Sequence, residues 1–254
     1  MEQQLLVLQV GEETIGGCLS FDRPQRFFFC QFFSTSFDDY ENNSSAIFCE
    51  AKFYYHTLIG SPGNTPSQLG IAYGIARHPT SGGIYVSDYL YSRLVSYAYG
   101  AGNSTLLLGG IGMGTNRSQL FSPMDMSYDS FSNSLLIANY GAHNIVRYVF
   151  GTTTWTLVAG HMNGTAGITS TSLNGPTDVT YDAMGNLYVA DAFNNRIQFF
   201  SDGGSTGTTI AGITGVNGGN ATTLFMPYAV KLDDQLNIYV VDTYNHRIQK
   251  FLRY

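Results

Sequence analysis

Positive charge is what this chain has least of: 12 Lys and Arg stand against 18 Asp and Glu in 254 residues, a formal net charge of −6. Residues 1–52 hold three of the basic and eight of the acidic side chains, which leaves residues 53–254 nearly neutral. Nucleic-acid binding needs a basic face that releases counterions from phosphates. So few cations, scattered along the sequence, argue against it. Cysteine is nearly missing as well. Cys18, Cys30 and Cys49 all fall in the first 52 residues. They allow one disulfide with one thiol left over, or three free thiols, and everything after them must fold without cysteine. No residues have metal-ligand spacing, and no cofactor is implied. No stretch is long and apolar enough for a membrane-spanning helix, and helical periodicity is almost absent. The residues from Met1 to Glu13 lack the basic flank of a secretory leader and carry only a short apolar run.

What the chain does have is repetition. Leu187-Tyr-Val-Ala-Asp191 runs on to Arg196-Ile-Gln-Phe-Phe200, and Ile238-Tyr-Val-Val-Asp242 runs on to Arg247-Ile-Gln-Lys-Phe251. Looser copies are Ile84-Tyr-Val-Ser-Asp88 with Arg93-Leu-Val-Ser-Tyr97, and Leu135-Leu-Ile-Ala-Asn139 with Asn144-Ile-Val-Arg-Tyr148. The residues closing the first run sit at 88, 139, 191 and 242, spacings of 51, 52 and 51. A second marker, an apolar run ending in glycine, falls at Gly60, Gly110, Gly160 and Gly212. Each period holds four short apolar runs with turn residues between them. A regular period near 50 residues with four strands is the signature of an all-β propeller of antiparallel blades.

The recurring polar residues have a structural explanation. Asp88 and Arg93, Asp191 and Arg196, and Asp242 and Arg247 keep one five-residue offset, which predicts an ion pair linking the second and third strands of a blade. Each carboxylate is also expected to accept backbone N–H groups in the turn that follows it. The second unit has Asn139 and Asn144 instead. Losing both charges together is what a pair predicts, since one alone would be left buried without its partner. Pro123, Pro176 and Pro227 precede the expected innermost strands, where a missing N–H is tolerated.

These residues resemble the NHL repeat, whose namesake motif is close to Asn245-His246-Arg247-Ile248. The resemblance covers roughly residues 53–254 and implies a β-propeller, usually of six blades. Six units of about 51 residues would need about 300, and only four are visible. The expectation is therefore part of a larger ring; a small closed ring, or one in which residues 1–52 form an unrecognisable blade, are the other arrangements. Residues 1–52 are read as a divergent N-terminal segment, a degenerate blade edge, and residues 53–254 as the propeller. The run Phe53–Ile59 is expected to be an outer strand. Some NHL propellers bind RNA through a basic face, from which this chain departs.

Function must then lie in what does not repeat. Aligning the units brings Tyr73, Met124, Thr177 and Tyr228 to the channel mouth, with Asp125 and Asp178 beside two of them. The two carboxylates are candidates for holding a cation or polar ligand, or else for capping turns near Pro123 and Pro176. His143 and His246 share one motif position and are read as structural. Tyr89, Tyr91, Tyr140 and Tyr244 fall in loops after the second strands, and tyrosine is enriched in binding surfaces. Sequons at Asn103, Asn116, Asn163 and Asn220 lie in expected loops and lean towards a secreted or cell-surface protein. No catalytic constellation stands out. The expected function is a non-enzymatic scaffold recognising protein, peptide or glycan through its loops. The alternatives are a metal-dependent lyase or hydrolase in the channel, although no trio of histidines aligns with the metal ligands of the NHL-like lyase of peptide amidation, and the substrate-recognition propeller of a ubiquitin-ligase-type protein.

Overall fold

The computed structural model describes residues 4–10, 13–20, 29–30, 61–99 and 101–253. The expected outer strand at 53–59 lies outside them. The chain divides into two compact units, Met1–Pro62 and Gly63–Tyr254. In the first, β1 (Gln4–Val10), β2 (Glu13–Ser20) and β3 (Phe29–Cys30) form an antiparallel sheet in sequence order. Two-residue strands β4 (Ser61–Pro62) and β5 (Gln68–Leu69) follow.

The second unit is built of meanders, each strand paired antiparallel with its neighbour in sequence. The first sheet holds β6 (Ala72–Arg77), β7 (Ile84–Asp88), β8 (Arg93–Tyr97) and β9 (Thr105–Gly109). The second holds β10 (Pro123–Asp129), β11 (Ser134–Asn139), β12 (Asn144–Val149) and β13 (Trp155–Gly160). The third holds β14 (Pro176–Tyr181), β15 (Leu187–Asp191), β16 (Arg196–Phe200) and β17 (Thr208–Gly212). The fourth holds β18 (Pro227–Leu232), β19 (Ile238–Asp242) and β20 (Arg247–Phe251), three strands among the described residues. The innermost strands β6, β10, β14 and β18 neighbour one another in that order, and the sheets are the blades of a β-propeller.

Apolar alternation explains why the blades stack. Leu94, Leu108 and Tyr85 of the first blade pack on Met126, Leu135 and Ile137 of the second. Leu136 and Ile145 meet Val179, Val189 and Phe200 of the third, whose opposite face, with Tyr188 and Ile197, meets Val230 and Val240 of the fourth. The far face of the fourth blade is open among the described residues. Ile248 is 67% exposed where its counterpart Ile197 is 0% exposed.

The ion pairs fold as the spacing predicts. Arg93 Nε donates to Asp88 at 2.9 Å, Arg196 to Asp191 at 2.8 Å and Arg247 to Asp242 at 2.8 Å. In the second blade Asn139 Nδ2 donates to Asn144 Oδ1 at 3.1 Å. The carboxylates' backbone partner differs from the expected one. Their principal N–H comes from the loop that leads into the inner strand: Gly70, Asn174 and Phe225 donate to Asp88, Asp191 and Asp242, and Phe121 donates to Asn139. In the following turn Asp88 accepts a backbone N–H, from Tyr91, whereas Asp191 and Asp242 accept the side-chain amides of Asn194 and Asn245. The arginines reach the same loops. Arg196 donates to the carbonyls of Ile168, Thr169 and Ser172, and Arg247 to those of Gly219, Asn220 and Thr223. The pair therefore fastens the connection between blades as well as the hairpin inside one.

A second device joins consecutive blades. The residue before each third strand has left-handed backbone: Ser92, His143, Asn195 and His246, with φ of 48°, 51°, 55° and 53°. The side chains of the first three accept a backbone N–H from the next blade's entry. Ser122 N donates to Ser92 Oγ at 3.0 Å, Gly175 N to His143 Nδ1 at 2.9 Å and Met226 N to Asn195 Oδ1 at 2.9 Å. His143 thus has the structural role that its motif position implied.

Candidate functional site

Each inner strand carries a register shift near its start, between Ala72 and Ile75, Pro123 and Met126, Pro176 and Asp178, and Pro227 and Ala229. A bulge leaves a residue unpaired and re-aims its side chain. These bulges contain the four positions that the alignment of the units matches, and the side chains of three of them meet. The Tyr228 phenol donates to Met124 Sδ at 3.7 Å and neighbours the Tyr73 phenol, joining the first, second and fourth blades. Thr177 does not join them. It is 2% exposed and donates from Oγ1 to Pro227 O at 3.3 Å, fixing one inner strand to the next.

Tyrosines continue outward from this layer. The Tyr73 ring stands edge-on to Tyr89 with centroids 5.2 Å apart, Tyr89 is 6.3 Å from Tyr140, and Tyr140 is 5.7 Å from Phe193. Phe193 and Tyr244 are exposed on the same set of 3₁₀ turns, Ala192–Asn194 and Thr243–Asn245. Tyr91 lies beneath the Arg93 guanidinium, 5.4 Å from the ring centroid. Burial first, then the neighbouring phenols, push Tyr228 well above the ordinary tyrosine range. The Tyr228 phenol is therefore neutral at physiological pH, and the layer offers π faces and hydroxyl groups.

One residue further along the inner strands lie Asp125 and Asp178, joined by a residue that sequence reasoning missed. Lys231 Nζ is 3.1 Å from Asp178 and 3.8 Å from Asp125. Asp178 is 1% exposed and also accepts Val230 N–H at 2.8 Å. Asp125 and Lys231 are only half-buried, and Asp125 Oδ1 accepts Met126 N–H at 2.8 Å. Burial, then the Asp178 carboxylate, raise Asp125 to about 7 against the opposing Lys231 charge and Met126 N–H. Burial lowers the Lys231 ammonium, but Asp178 and Asp125 outweigh it and the net direction is up. The position expected to attract a cation thus has the chain's own ammonium beside it. Neither carboxylate caps a turn. Among the described residues no group of three or more His, Cys, Asp and Glu is placed to hold a metal.

Lys231 was legible only as one scattered cation. Its signal was its place inside an inner strand, 53 residues beyond Asp178, about one repeat period away. The sequons behave uniformly: Asn103, Asn116, Asn163 and Asn220 are all exposed in loops. Asn163 and Asn220 each accept from the threonine of their own sequon, Thr165 and Thr222.

Stacked four-stranded meanders with neighbouring inner strands define the class: a β-propeller. The NHL repeat family matches residues 173–200 and 226–251, which fall in the third and fourth blades. No curated protein matches the chain. Among solved structures it is similar to an auxiliary nutrient binding protein from Bacteroides ovatus, at 19% identity and a TM-score of 0.54 over 73% of this chain and 49% of that one. It is also similar to a gluconolactonase from Xanthomonas campestris, at 16% identity and a TM-score of 0.56 over 75% and 61% of the two chains. A chain of the nidogen/laminin complex aligns at 17% identity and a TM-score of 0.53 over 71% and 60%. At these identities the likeness is one of fold. The chain spans about half the length of the nutrient-binding structure it matches.

Proposed function

We propose that this propeller is a recognition module that binds a protein, peptide or glycan, without turning it over, at the channel mouth and the tyrosine-bearing turns around it. One observation carries the reading. The polar residues of the repeated motif are consumed in holding the blades, whereas Tyr73, Tyr228, Asp125 and Lys231, at inner-strand positions that vary between units, remain partly accessible. Tyrosine supplies broad contact area at low entropic cost with one polar tip. The range of solved neighbours, a nutrient-binding protein and a protein complex among them, is compatible with such a role. The test is a screen of peptide and glycan arrays with the purified chain. Binding should weaken at least about tenfold in Tyr73→Ala and Tyr228→Ala, a loss of about 1.4 kcal/mol, with unchanged far-UV circular dichroism. Binding indifferent to both substitutions would refute this location, and an absence of any ligand would refute the function.

Asp125 favours a second reading. A carboxyl group raised to about 7 and half-open to the channel has the proton affinity of a general acid or base. With Lys231 already beside both carboxylates, that chemistry would be proton transfer rather than metal-assisted hydrolysis. A change of mass in a bound ligand, abolished by Asp125→Asn, would establish the enzyme; intact ligand recovered after prolonged incubation would dismiss it.

A further inference from the structure

Each connection from one blade's outer strand to the next blade's inner strand is exposed, apolar and almost uncharged. The loop after β9 exposes Ile111 and Met113, the loop after β13 exposes Met162 and Ile168, and the loop after β17 exposes Ile213 and Val216. Across residues 110–122, 161–175 and 213–226 the only Lys, Arg, Asp or Glu is Arg117. Charge therefore does not keep these loops soluble, and apolar groups left open on a surface call for something that covers them. The same three loops each carry one sequon, at Asn116, Asn163 and Asn220. The remaining described sequon, Asn103, lies in the hairpin between β8 and β9, flanked by the exposed Tyr99 and Leu106. No apolar residue of these four pairs is more than seven positions from its asparagine. By contrast, the turns that bear Tyr89, Tyr140, Phe193 and Tyr244 hold no sequon.

Exposure sorts the asparagines in the same way. All four sequon asparagines are exposed, but of the eleven others among the described residues only Asn64, Asn133 and Asn217 are. Buried members use Nδ2 inside the fold, Asn139 on Asn144 and Asn194 on Asp191, and a sugar on either would break the blade. Asn163 and Asn220 use Oδ1 instead. Each accepts from the threonine of its own sequon, Thr165 N–H at 3.2 Å and Oγ1–H at 2.9 Å, Thr222 N–H at 2.9 Å and Oγ1–H at 3.0 Å. In neither does Nδ2, the atom a sugar takes, have a protein partner among the described residues. An attached sugar is bulky and solubilising and is carried at the surface, and these sequons stand only where the fold has room for it. We infer that Asn103, Asn116, Asn163 and Asn220 carry N-linked glycans, which cover the apolar residues of their own loops and leave the tyrosine-bearing turns bare. The inference stands independently of the recognition reading.

The modification is a substitution at carbon. Nδ2 of the asparagine attacks the anomeric carbon of a polyprenyl-diphosphate oligosaccharide, the donor met by chains that enter a secretory membrane system. A C–N bond forms as the C–O bond to the phosphate breaks. The electron pair leaves with the polyprenyl diphosphate, the amide gives up one proton to the transferase, and nothing is oxidised or reduced.

The experiment takes the full chain from the cells that produce it and removes N-glycans with peptide N-glycosidase in water labelled with heavy oxygen. Each glycosylated asparagine then becomes a heavy aspartate, read by mass spectrometry. A parallel incubation without the enzyme subtracts spontaneous deamidation, to which Asn163-Gly164 is prone. Heavy aspartate is expected in place of Asn103, Asn116, Asn163 and Asn220. Unlabelled asparagine at any of these positions removes that site, and at all four it overturns the assignment. Covering has its own test. Ser118→Ala, Thr165→Ala and Thr222→Ala together abolish the three blade-connecting sequons while keeping every asparagine. The variant should bind at least about twofold more of the apolar dye anilinonaphthalene sulfonate than the glycosylated chain. Should that variant not fold, trimming the folded wild type to one sugar per site with an endoglycosidase should give the same rise. Dye binding that neither change increases overturns the covering role.

Discussion

Replacing Arg196 with alanine is the sharpest test of how these blades are held. Asp191 is 0% exposed and has three donors: Asn174 N–H at 2.7 Å, Asn194 Nδ2 at 2.8 Å and Arg196 Nε at 2.8 Å. Arg196 also donates to the carbonyls of Ile168, Thr169 and Ser172. Ile168 and Thr169 are exposed, so water can replace the guanidinium there; Ser172 is buried. The loss is thus concentrated on one buried carboxylate, and breaking a buried pair from one side costs about 3–5 kcal/mol. Arg247, whose side chain is 28% exposed, provides the control. Arg247→Ala should cost no more than about 1–2 kcal/mol, because solvent screens that pair. Burial already raises the proton affinity of Asp191 against its three donors, and removing Arg196 raises it further. Arg196→Ala should therefore be most damaging at high pH and recover partly on acidification, as Asp191 takes up a proton. The double variant Asp191→Asn/Arg196→Asn copies the second blade and should cost clearly less than the sum of the two single changes. Urea unfolding at unchanged m reads all of this. An Arg196→Ala cost below about 1 kcal/mol, a cost independent of pH, or additivity in the double variant would refute the argument.

Folding raises Asp125 from 3.8 to about 7, so the stability tied to its proton is complete below 3.8 and is lost as pH rises through about 7. Asp125→Asn should flatten the decline of the urea midpoint across that window, and an unchanged slope would remove Asp125 as its source. Burial lowers the pKa of His143, whose neutral Nδ1 accepts Gly175 N–H. Its contribution is present above the ordinary 6.5 and is lost as pH falls through the lowered folded value. His143→Ala should cost about 1 kcal/mol, whereas His143→Asn, copying Asn195 in the third blade, should retain most of the stability and lose the pH dependence; equal losses in chemical denaturation would refute the cap. Gly74→Ala places a Cβ 2.6 Å from Met124 O and 2.7 Å from Asp125 Cα, both backbone atoms. Thermal unfolding should reveal roughly 1–3 kcal/mol of overpacking, and a variant as stable as the wild type would mean that β6 and β10 move apart freely.

The contrast between Arg196 and Lys231 shows why the fold could be read from the sequence and the site only in part. Arg196 repeats, and its partner repeats at a fixed offset within one hairpin, so spacing alone locates the contact. Lys231 is paired with Asp178 and Asp125, which come from two other blades, and no offset inside a repeat encodes that meeting. It depends on the bulge at the start of each inner strand, which shifts pairing by a residue and decides which side chain faces the channel. Side-chain length, not the shift, separates Thr177 from its three aligned counterparts. By alignment all four are equivalent, but Thr177 is short enough to turn back onto Pro227 O, while Tyr73, Met124 and Tyr228 are long enough to reach one another across the axis.

The links between blades were hidden for a different reason. Ser92, His143 and Asn195 share a left-handed backbone and the task of accepting one N–H, but as residue types they share only a polar acceptor. Repeat detection weighs side-chain identity, whereas the geometry here demands only an acceptor of suitable reach on a backbone with positive φ. Positions conserved in role but free in chemistry therefore stay silent in a single sequence, even within its own repeats. That freedom is also what allows a rigid blade array to vary: the ion pairs fix where each inner strand enters, and inner-strand positions such as 73, 124, 177 and 228 can differ from blade to blade on a nearly symmetric frame.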